Sequence, residues 1–199
     1  MNATGLNRGT AGNVSVRHED GFFVTPTGMD YEESVPEDIV FVSPDYDGGR
    51  AEGRRKPSSE WRFHRDIYAA RPEAGAIIHT HAPFATALAC RGEAIPPFHY
   101  MIARFGGSDI RCAGYATFGT QELSDGMLKA LEGRCACLMD HHGMVVFGRD
   151  LKQALALAVE FEALCEQYWR VLALGEARLL PEEEMQRVVA KFRDYGRQD

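Results

Sequence analysis

The chain lacks any long apolar run. No uninterrupted hydrophobic stretch approaches the roughly 20 residues that a helix needs to cross a bilayer. It also lacks an excess of basic charge: 22 Lys and Arg stand against 29 Asp and Glu, for a net charge of −7 at pH 7, and the pI is about 5.5. That balance argues against a nucleic-acid or anionic-membrane partner, because phosphate backbones attract basic surfaces. A small phosphate stays open, since a few local donors can hold one. A disulfide or zinc-finger framework is absent too. The five cysteines, Cys90, Cys112, Cys135, Cys137 and Cys165, are odd in number and contain no C-x-x-C pair. They read as reduced, buried thiols of a cytoplasmic protein. Cys135 and Cys137 would share one face of a strand, but without further spaced cysteines they read as core. The opening "MNATGLNRGTAGN" has neither the basic start nor the apolar middle of a secretory signal. Internal repeats and low-complexity segments are missing.

What remains is a chain of 199 residues, a length that suits one domain spanning 1–199. A hydrophobic fraction of 45% is enough for it to bury a sizeable core. "GTAGNVSVR" runs from small residues into alternation at Val14 and Val16, as a loop entering a strand does. "GFFVTPTGM" predicts a strand closed by a turn at Pro26 and Gly28, and "DIVFVS" predicts another strand. The polar, glycine-rich "PDYDGGRAEGRRKP" is a connection. Pro57, Ser58 and Ser59 are helix-start residues, and Arg71-Pro72 stops the helix. "AGAIIHTH" predicts a buried strand, and "APFATALAC" a helix from about Pro83. "IRCAGYATFGTQEL" mixes strand and turn signals. Thr120 caps a helix to about Leu131, and "CACLMDHHGMVVFG" predicts two strands meeting at His141–Gly143. The helix from Asp150 to Gly175 is apolar over most of its circumference and is expected to be largely buried. A last helix follows in "PEEEMQRVVAKFRDYG", with acids first and bases last. Strands and helices do not alternate cleanly enough for a doubly wound parallel sheet. The expected fold is α/β, a single domain with a mixed, mostly antiparallel sheet flanked by helices.

The chemistry concentrates in three short motifs. His79 and His81 flank one threonine, and on a strand of period two they project to one side. Both imidazoles can then reach one ion at about 2.0–2.1 Å. "DHHG" offers His141 and His142, and "PSSEW" offers Glu60. Two of the H-x-H nitrogens, one histidine of the pair and the carboxylate would suit zinc. The ordinary alternative is that H-x-H simply ends a strand, and spacing alone does not choose between His141 and His142. His18, His64 and His99 read as ordinary polar residues. His64 lies four residues after Glu60, on the same helix face, from where it could orient that carboxylate.

Together "GTAGNVSVR", "TPTG", "PSSEWRFH", "HTHAP", "IPPFHYMI", "YATFGTQEL" and "DHHG" resemble the class II aldolase/adducin family, in order, from about Leu6 to Tyr195. The resemblance implies a zinc enzyme assembled as a C4 homotetramer, with one Zn²⁺ per subunit and sites at subunit interfaces. Zinc, or another divalent ion, would be held by His79, His81 and His142, with Glu60 as exchangeable fourth ligand and catalytic acid/base. Asn13, Thr27, Gly28, Ser58 and Ser59 would line a phosphate pocket. Tyr100 would donate the proton at the aldehyde oxygen, in a neighbouring subunit's site. Phe118, Phe192 and Tyr195 would line the aldehyde pocket. The residue types agree with this. Ser58 and Ser59 sit where a helix exposes unpaired N–H groups, and the small residues of "GTAGN" and "TPTG" let backbone amides approach an oxyanion. The family's pattern carries a further helix before "GLNRGTAGN", whereas here Met1 to Gly5 precede it.

The implied reaction is reversible aldol cleavage of a ketose 1-phosphate of the L-fuculose 1-phosphate type. Its products are dihydroxyacetone phosphate and a short aldehyde such as lactaldehyde. Zinc supplies Lewis-acid stabilisation in place of a lysine Schiff base. Glu60 would exchange the proton at C3 and Tyr100 that at the C4 oxygen. The same family context holds pentulose-phosphate 4-epimerases, sugar-phosphate dehydratases and keto-acid phosphate decarboxylases. A non-enzymatic adducin-like module would lose the zinc ligands, which this chain keeps. A cupin barrel places its Glu just after H-x-H, whereas Glu60 precedes His79 by nineteen residues.

Overall fold

The computed structural model describes residues 1–194, so the expectation placed on Tyr195 lies outside the described residues. Seven strands form one sheet: β1 (Asn13–His18), β2 (Gly21–Val24), β3 (Val40–Val42), β4 (Ala76–Thr80), β5 (Cys112–Ala113), β6 (Ala136–Met139) and β7 (Gly143–Gly148). Their order is β3-β2-β1-β4-β7-β6-β5. Only β5 and β6 pair in parallel, so the sheet is mixed and mostly antiparallel, as the sequence predicts. Five helices cover it: α1 (Trp61–Ala70), α2 (Pro83–Ala89), α3 (Gln121–Ala130), α4 (Leu151–Leu174) and α5 (Glu182–Asp194).

The central strands are apolar on both faces because helices lie on both. Ala76, Ile78, Leu138, Met144 and Val146 pack with Leu88 of α2, Phe161 and Leu164 of α4 and Met185 of α5. The alternate residues Ile77, Cys137, Met139, Val145 and Phe147 pack with Phe63 and Ile67 of α1 and Leu123 and Met127 of α3. Thr120 caps α3 by accepting from Leu123 N (3.3 Å), and Asp150 caps α4 by accepting from Gln153 N (2.7 Å). All five cysteines are unpaired.

The expectation for α4 changes: the helix buries one face, through Ala154, Leu157, Ala158, Phe161, Leu164 and Cys165. Leu151, Val159, Trp169 and Leu174 remain exposed. An apolar circumference does not tell which flanks the same chain covers.

On β1 the alternation at Val14 and Val16 forms the strand that the sequence predicts, and it is the polar residues that lie deepest: Asn13 and Ser15 are buried, at 3% and 1% exposure, while Val14 and Val16 are only partly so. The polar face of β1 lies under α1, where side-chain hydrogen bonds replace water.

Candidate metal and acid–base site

The site forms at the C-terminal end of β4, on the α1 side of the sheet. His79 is the residue after Ile78 on β4, pairs across the ladder with Asn13 of β1 and with Val145 of β7, and is fully buried. Gly12 permits this approach: a Cβ there would stand 2.5 Å from the His79 carbonyl oxygen. β4 ends at Thr80, so His81 follows the strand and is exposed. The turn carrying it is tied down at both ends. Thr80 Oγ1 accepts from Ala82 N (3.0 Å), and the carboxylate of Glu162 on α4 accepts from Phe84 N and Ala85 N (2.8 Å each). His142 sits in the β6–β7 turn and donates its backbone N–H to Met139 O (3.0 Å). Gly143 beside it is also obligatory, because a Cβ would lie 2.5 Å from Thr80 O and 3.1 Å from the His81 ring.

Three separate elements therefore deliver three imidazoles to one point. Their ring centroids are 4.8–4.9 Å apart, and their candidate ligand nitrogens all lie within 4.8 Å of one another. His79 Nε2 is 3.1 Å from His81 Nε2. On its other side the His79 ring donates from Nδ1 to Met144 O (2.9 Å), which fixes its orientation. His141 turns away: it is exposed, has φ 53°, and binds Asp140 through Nδ1 at 2.5 Å.

Glu60 occupies the N-cap position of α1, yet its side chain makes no cap bond. It points at the histidines, with Oε2 3.2 Å from His79 Nε2 and Oε1 3.2 Å from His142 Nε2. Oε1 is buried and accepts no hydrogen bond among the described residues. Burial would raise the Glu60 carboxyl, but His79, then His142 and Asn13, bring it down to about 2. Burial, reinforced by His79, lowers His81 and His142 to about 4. Burial pushes His79 down as well, but Glu60 outweighs it and raises that imidazole. Either a proton on His79 Nε2 or a divalent cation can balance Glu60, and binding the second displaces the first. Three imidazoles, a buried carboxylate and an orphaned carboxylate oxygen fit a metal ion.

A cavity of about 330 Å³ opens beside this cluster. Asn13, Thr27, Gly28, Ser58, Ser59, Glu60, His81, Phe118 and His142 line it, so most of the sequence-derived site residues meet in one space. Local pairing explains part of this. Pro26 bridges Pro57, Thr27 N donates to Lys56 O (3.1 Å) and Ser58 N to Thr25 O (3.0 Å), zipping "TPTG" against "PSS". None of the described lining residues is Lys or Arg, so an anion here would be held by hydroxyls and backbone amides. Asn13 is more committed than a simple lining residue: its Nδ2 donates to Ser58 Oγ (2.9 Å) and Glu60 Oε2 (3.0 Å).

Tyr100 and Phe192 do not reach this cavity within the chain. They stack on each other, 6.4 Å between centroids and 3° between planes, and line a separate surface hollow with Arg104 and Lys191. His64 does not touch Glu60; it reaches it through Asn13. Sequence reasoning did not single out Ser15, Tyr68, Tyr115 or Glu162. Only the alternation of polar residues in "NVSVR" carried a signal, for Ser15.

This geometry agrees with what comparison finds. The profile described as Class II Aldolase and Adducin N-terminal domain matches residues 1–169, and the chain belongs to that family. The fold and the named relatives define its class: it is a class II, metal-dependent aldolase. It is 58% identical over 192 residues to the 5-methylthioribulose-1-phosphate/5-deoxyribulose-1-phosphate aldolase of Rhodospirillum rubrum, covering 96% of this chain and 86% of that one. It is 48% identical over 197 residues to the L-fuculose phosphate aldolase of Escherichia coli K12, covering 98% and 90%. Among solved structures it superposes on an L-fuculose 1-phosphate aldolase with a TM-score of 0.90 and 41% identity, covering 96% of this chain and 90% of that one.

Proposed function

We propose that the protein cleaves a ketose 1-phosphate between C3 and C4, reversibly, to dihydroxyacetone phosphate and a short aldehyde. The observation that carries this is one cavity with a His79–His81–His142–Glu60 cluster at one end and Thr27, Gly28, Ser58 and Ser59 at the other. The distal end of the substrate is less constrained. The 58% relative's name favours a 5-deoxypentulose or 5-methylthiopentulose 1-phosphate, whose aldehyde half is apolar beyond its carbonyl. The exposed aromatic rings of Tyr115 and Phe118 at the cavity suit that half. L-Fuculose 1-phosphate, releasing lactaldehyde, is the second reading, favoured by the 48% relative and the superposed structure.

His79, His81 and His142 would hold a zinc ion, with Glu60 as exchangeable fourth ligand; three imidazoles and a carboxylate are zinc-type donors. When bound, the ion supplies Lewis-acid stabilisation of the negative charge that bond cleavage leaves beside the C2 carbonyl. The chain's own residues do the rest. Ser58 and Ser59, before the N-terminus of α1, hold the phosphate with Thr27 and Gly28, and Asn13 supports them. Anchoring the phosphate brings C3 to the Glu60 carboxylate, which takes or returns the C3 proton. Tyr100 of a neighbouring subunit would exchange the proton on the C4 oxygen, and Phe118 with the neighbour's Phe192 and Tyr195 would enclose the aldehyde. Two features support a C4 homotetramer with sites between subunits. Tyr100 and Phe192 lie outside their own chain's cavity, and α4 exposes Val159 and Trp169. We assign the enzyme to the cytoplasm, which suits five unpaired thiols.

The test is a panel. Zinc-loaded protein is given 5-deoxyribulose, 5-methylthioribulose and L-fuculose 1-phosphates, and dihydroxyacetone phosphate release is measured. Release from at least one, abolished by chelation, is expected. No release from any, with epimerisation of a pentulose phosphate or decarboxylation of an acid phosphate instead, overturns the reading.

A further inference from the structure

Behind the metal cluster a line of polar side chains starts at Asn13, which lines the cavity, and runs away from it through residues that do not line it. Asn13 Oδ1 is 2.5 Å from His64 Nε2; His64 Nδ1 is 2.7 Å from Ser15 Oγ; Ser15 Oγ is 2.8 Å from Tyr68 OH. His64 is fully buried and Ser15 is 1% exposed. Phe22 and Phe63 lie near-parallel to the His64 ring, at 18° and 22° with centroids 6.4 and 4.6 Å away, and restrict its turning.

The donors and acceptors can be ordered from the carboxylate outward. Glu60 Oε2 accepts from Asn13, so Asn13 faces it with its NH₂ group, which also donates to Ser58 Oγ. The amide oxygen of Asn13 then faces His64, and His64 Nε2 must carry a hydrogen. Burial keeps this imidazole neutral, at about 3, so its Nδ1 is bare and accepts from Ser15. Ser15, having given its hydrogen, accepts from Tyr68. The line is donor-to-acceptor throughout, from Tyr68 to Glu60, with one consistent direction. Reversing the Asn13 amide would set its oxygen against the carboxylate and leave His64 Nε2–H without an acceptor.

We infer that His64, held by Ser15 and Tyr68, is a positioning residue that locks the Asn13 amide so that one NH₂ group holds both the Glu60 carboxylate and the Ser58 hydroxyl. The acid/base oxygen and the phosphate seat are thereby kept at a constant separation by a single planar group. This rests on the acid–base role proposed for Glu60. The strands explain the placement: Asn13 and Ser15 are neighbours on one face of β1, and His64 and Tyr68 are one turn apart on the face of α1 that covers it.

The test isolates the Glu60 step. In D₂O, without aldehyde, the zinc-loaded full chain should exchange the C3 proton of dihydroxyacetone phosphate for deuterium. The exchange rate per bound zinc and the dissociation constant of dihydroxyacetone phosphate are measured for wild type, His64→Leu, His64→Gln and Ser15→Ala. Removing a partner that orients a metal-site group typically costs 10–100-fold. His64→Leu should therefore exchange about 10–100-fold more slowly at saturation, with the dissociation constant changed less than the rate. His64→Gln, whose Nε2 can still donate to Asn13 Oδ1, should recover most of that loss. Ser15→Ala, which only loosens the ring, should fall between wild type and His64→Leu. If His64→Leu does not fold, Ser15→Ala and His64→Gln decide by the same ranking.

Wild-type exchange per bound zinc in these variants overturns the inference, as does a change in binding alone or a Gln variant no better than Leu. A spectroscopic signature is independent of turnover: ¹⁵N histidine spectra of the metal-free protein should report the Nε2–H tautomer at His64, and the opposite tautomer contradicts the inference. Absence of exchange in wild type would count against the proposed function, while the tautomer would still decide the inference.

Discussion

The two walls of the cavity are built on opposite terms. The inner wall, β1 against α1, is closed: Asn13, Ser15, His64 and Glu60 are all under a tenth exposed, and nearly every polar atom is paired within the chain. The exception is Glu60 Oε1, which points at the metal cluster. The outer rim is open: Tyr115 and Phe118 stand about two-thirds exposed. Under the proposed function the closed wall holds the group whose geometry the reaction cannot vary, the acid/base Glu60. On the same reading the open rim would meet the part of the substrate that differs among the named relatives.

The comparison can be broken at its strongest point first. His79→Ala removes a fully buried ligand, and bound metal and turnover should both fall to background; metal analysis beside a dihydroxyacetone phosphate assay reads this, and retained zinc with activity would displace His79 from the site. Tyr100→Phe, outside its own chain's cavity, should slow cleavage about 10²-fold, the scale of a lost general acid, while C3 proton exchange is spared. Equal slowing of both, or of neither, would remove Tyr100 from the C4 oxygen. Ser59→Ala alters only the proposed phosphate end of the cavity. It should raise KM roughly tenfold, the loss of one hydrogen bond to a charged group, with kcat little changed. A drop in kcat alone would reassign Ser59.

The smallest effect tests the closed wall through pH. Burial depresses His64 to about 3 in the folded chain, against about 6.5 unfolded. The unfolded chain therefore binds the extra proton first, and stability present above pH 6.5 is lost as the pH falls toward 3. By pH 5 this amounts to about 2 kcal/mol. The melting temperature of metal-free wild type should fall more steeply between pH 7 and 5 than that of His64→Gln, and parallel curves would contradict a neutral, buried His64.

Much of this was legible because local signals agreed with the fold. "AIIHT" predicts β4, Thr120 caps the helix it precedes, and H-x-H with Glu60 points to a metal. The closed wall was not legible for a physical reason. Its alternation, polar at Asn13 and Ser15, has the period of a strand with one wet face, and nothing local shows that α1 dries that face with His64 and Tyr68. Partners 49 and 53 residues apart leave no periodic trace. Tyr100 and Phe192 were readable only by family resemblance, since within one chain they meet each other rather than the cavity.

The central claim is that Glu60, held between His79 and His142, is the acid/base of a metal-dependent aldolase. Glu60→Gln keeps the side chain's size and removes its charge, so the decisive measurement is dihydroxyacetone phosphate release by the folded, zinc-loaded variant from the substrate that wild type prefers. The account predicts a fall of about 10²–10⁴-fold, the range for loss of a positioned acid/base, with the wild-type fold retained. Release at the wild-type rate would contradict it.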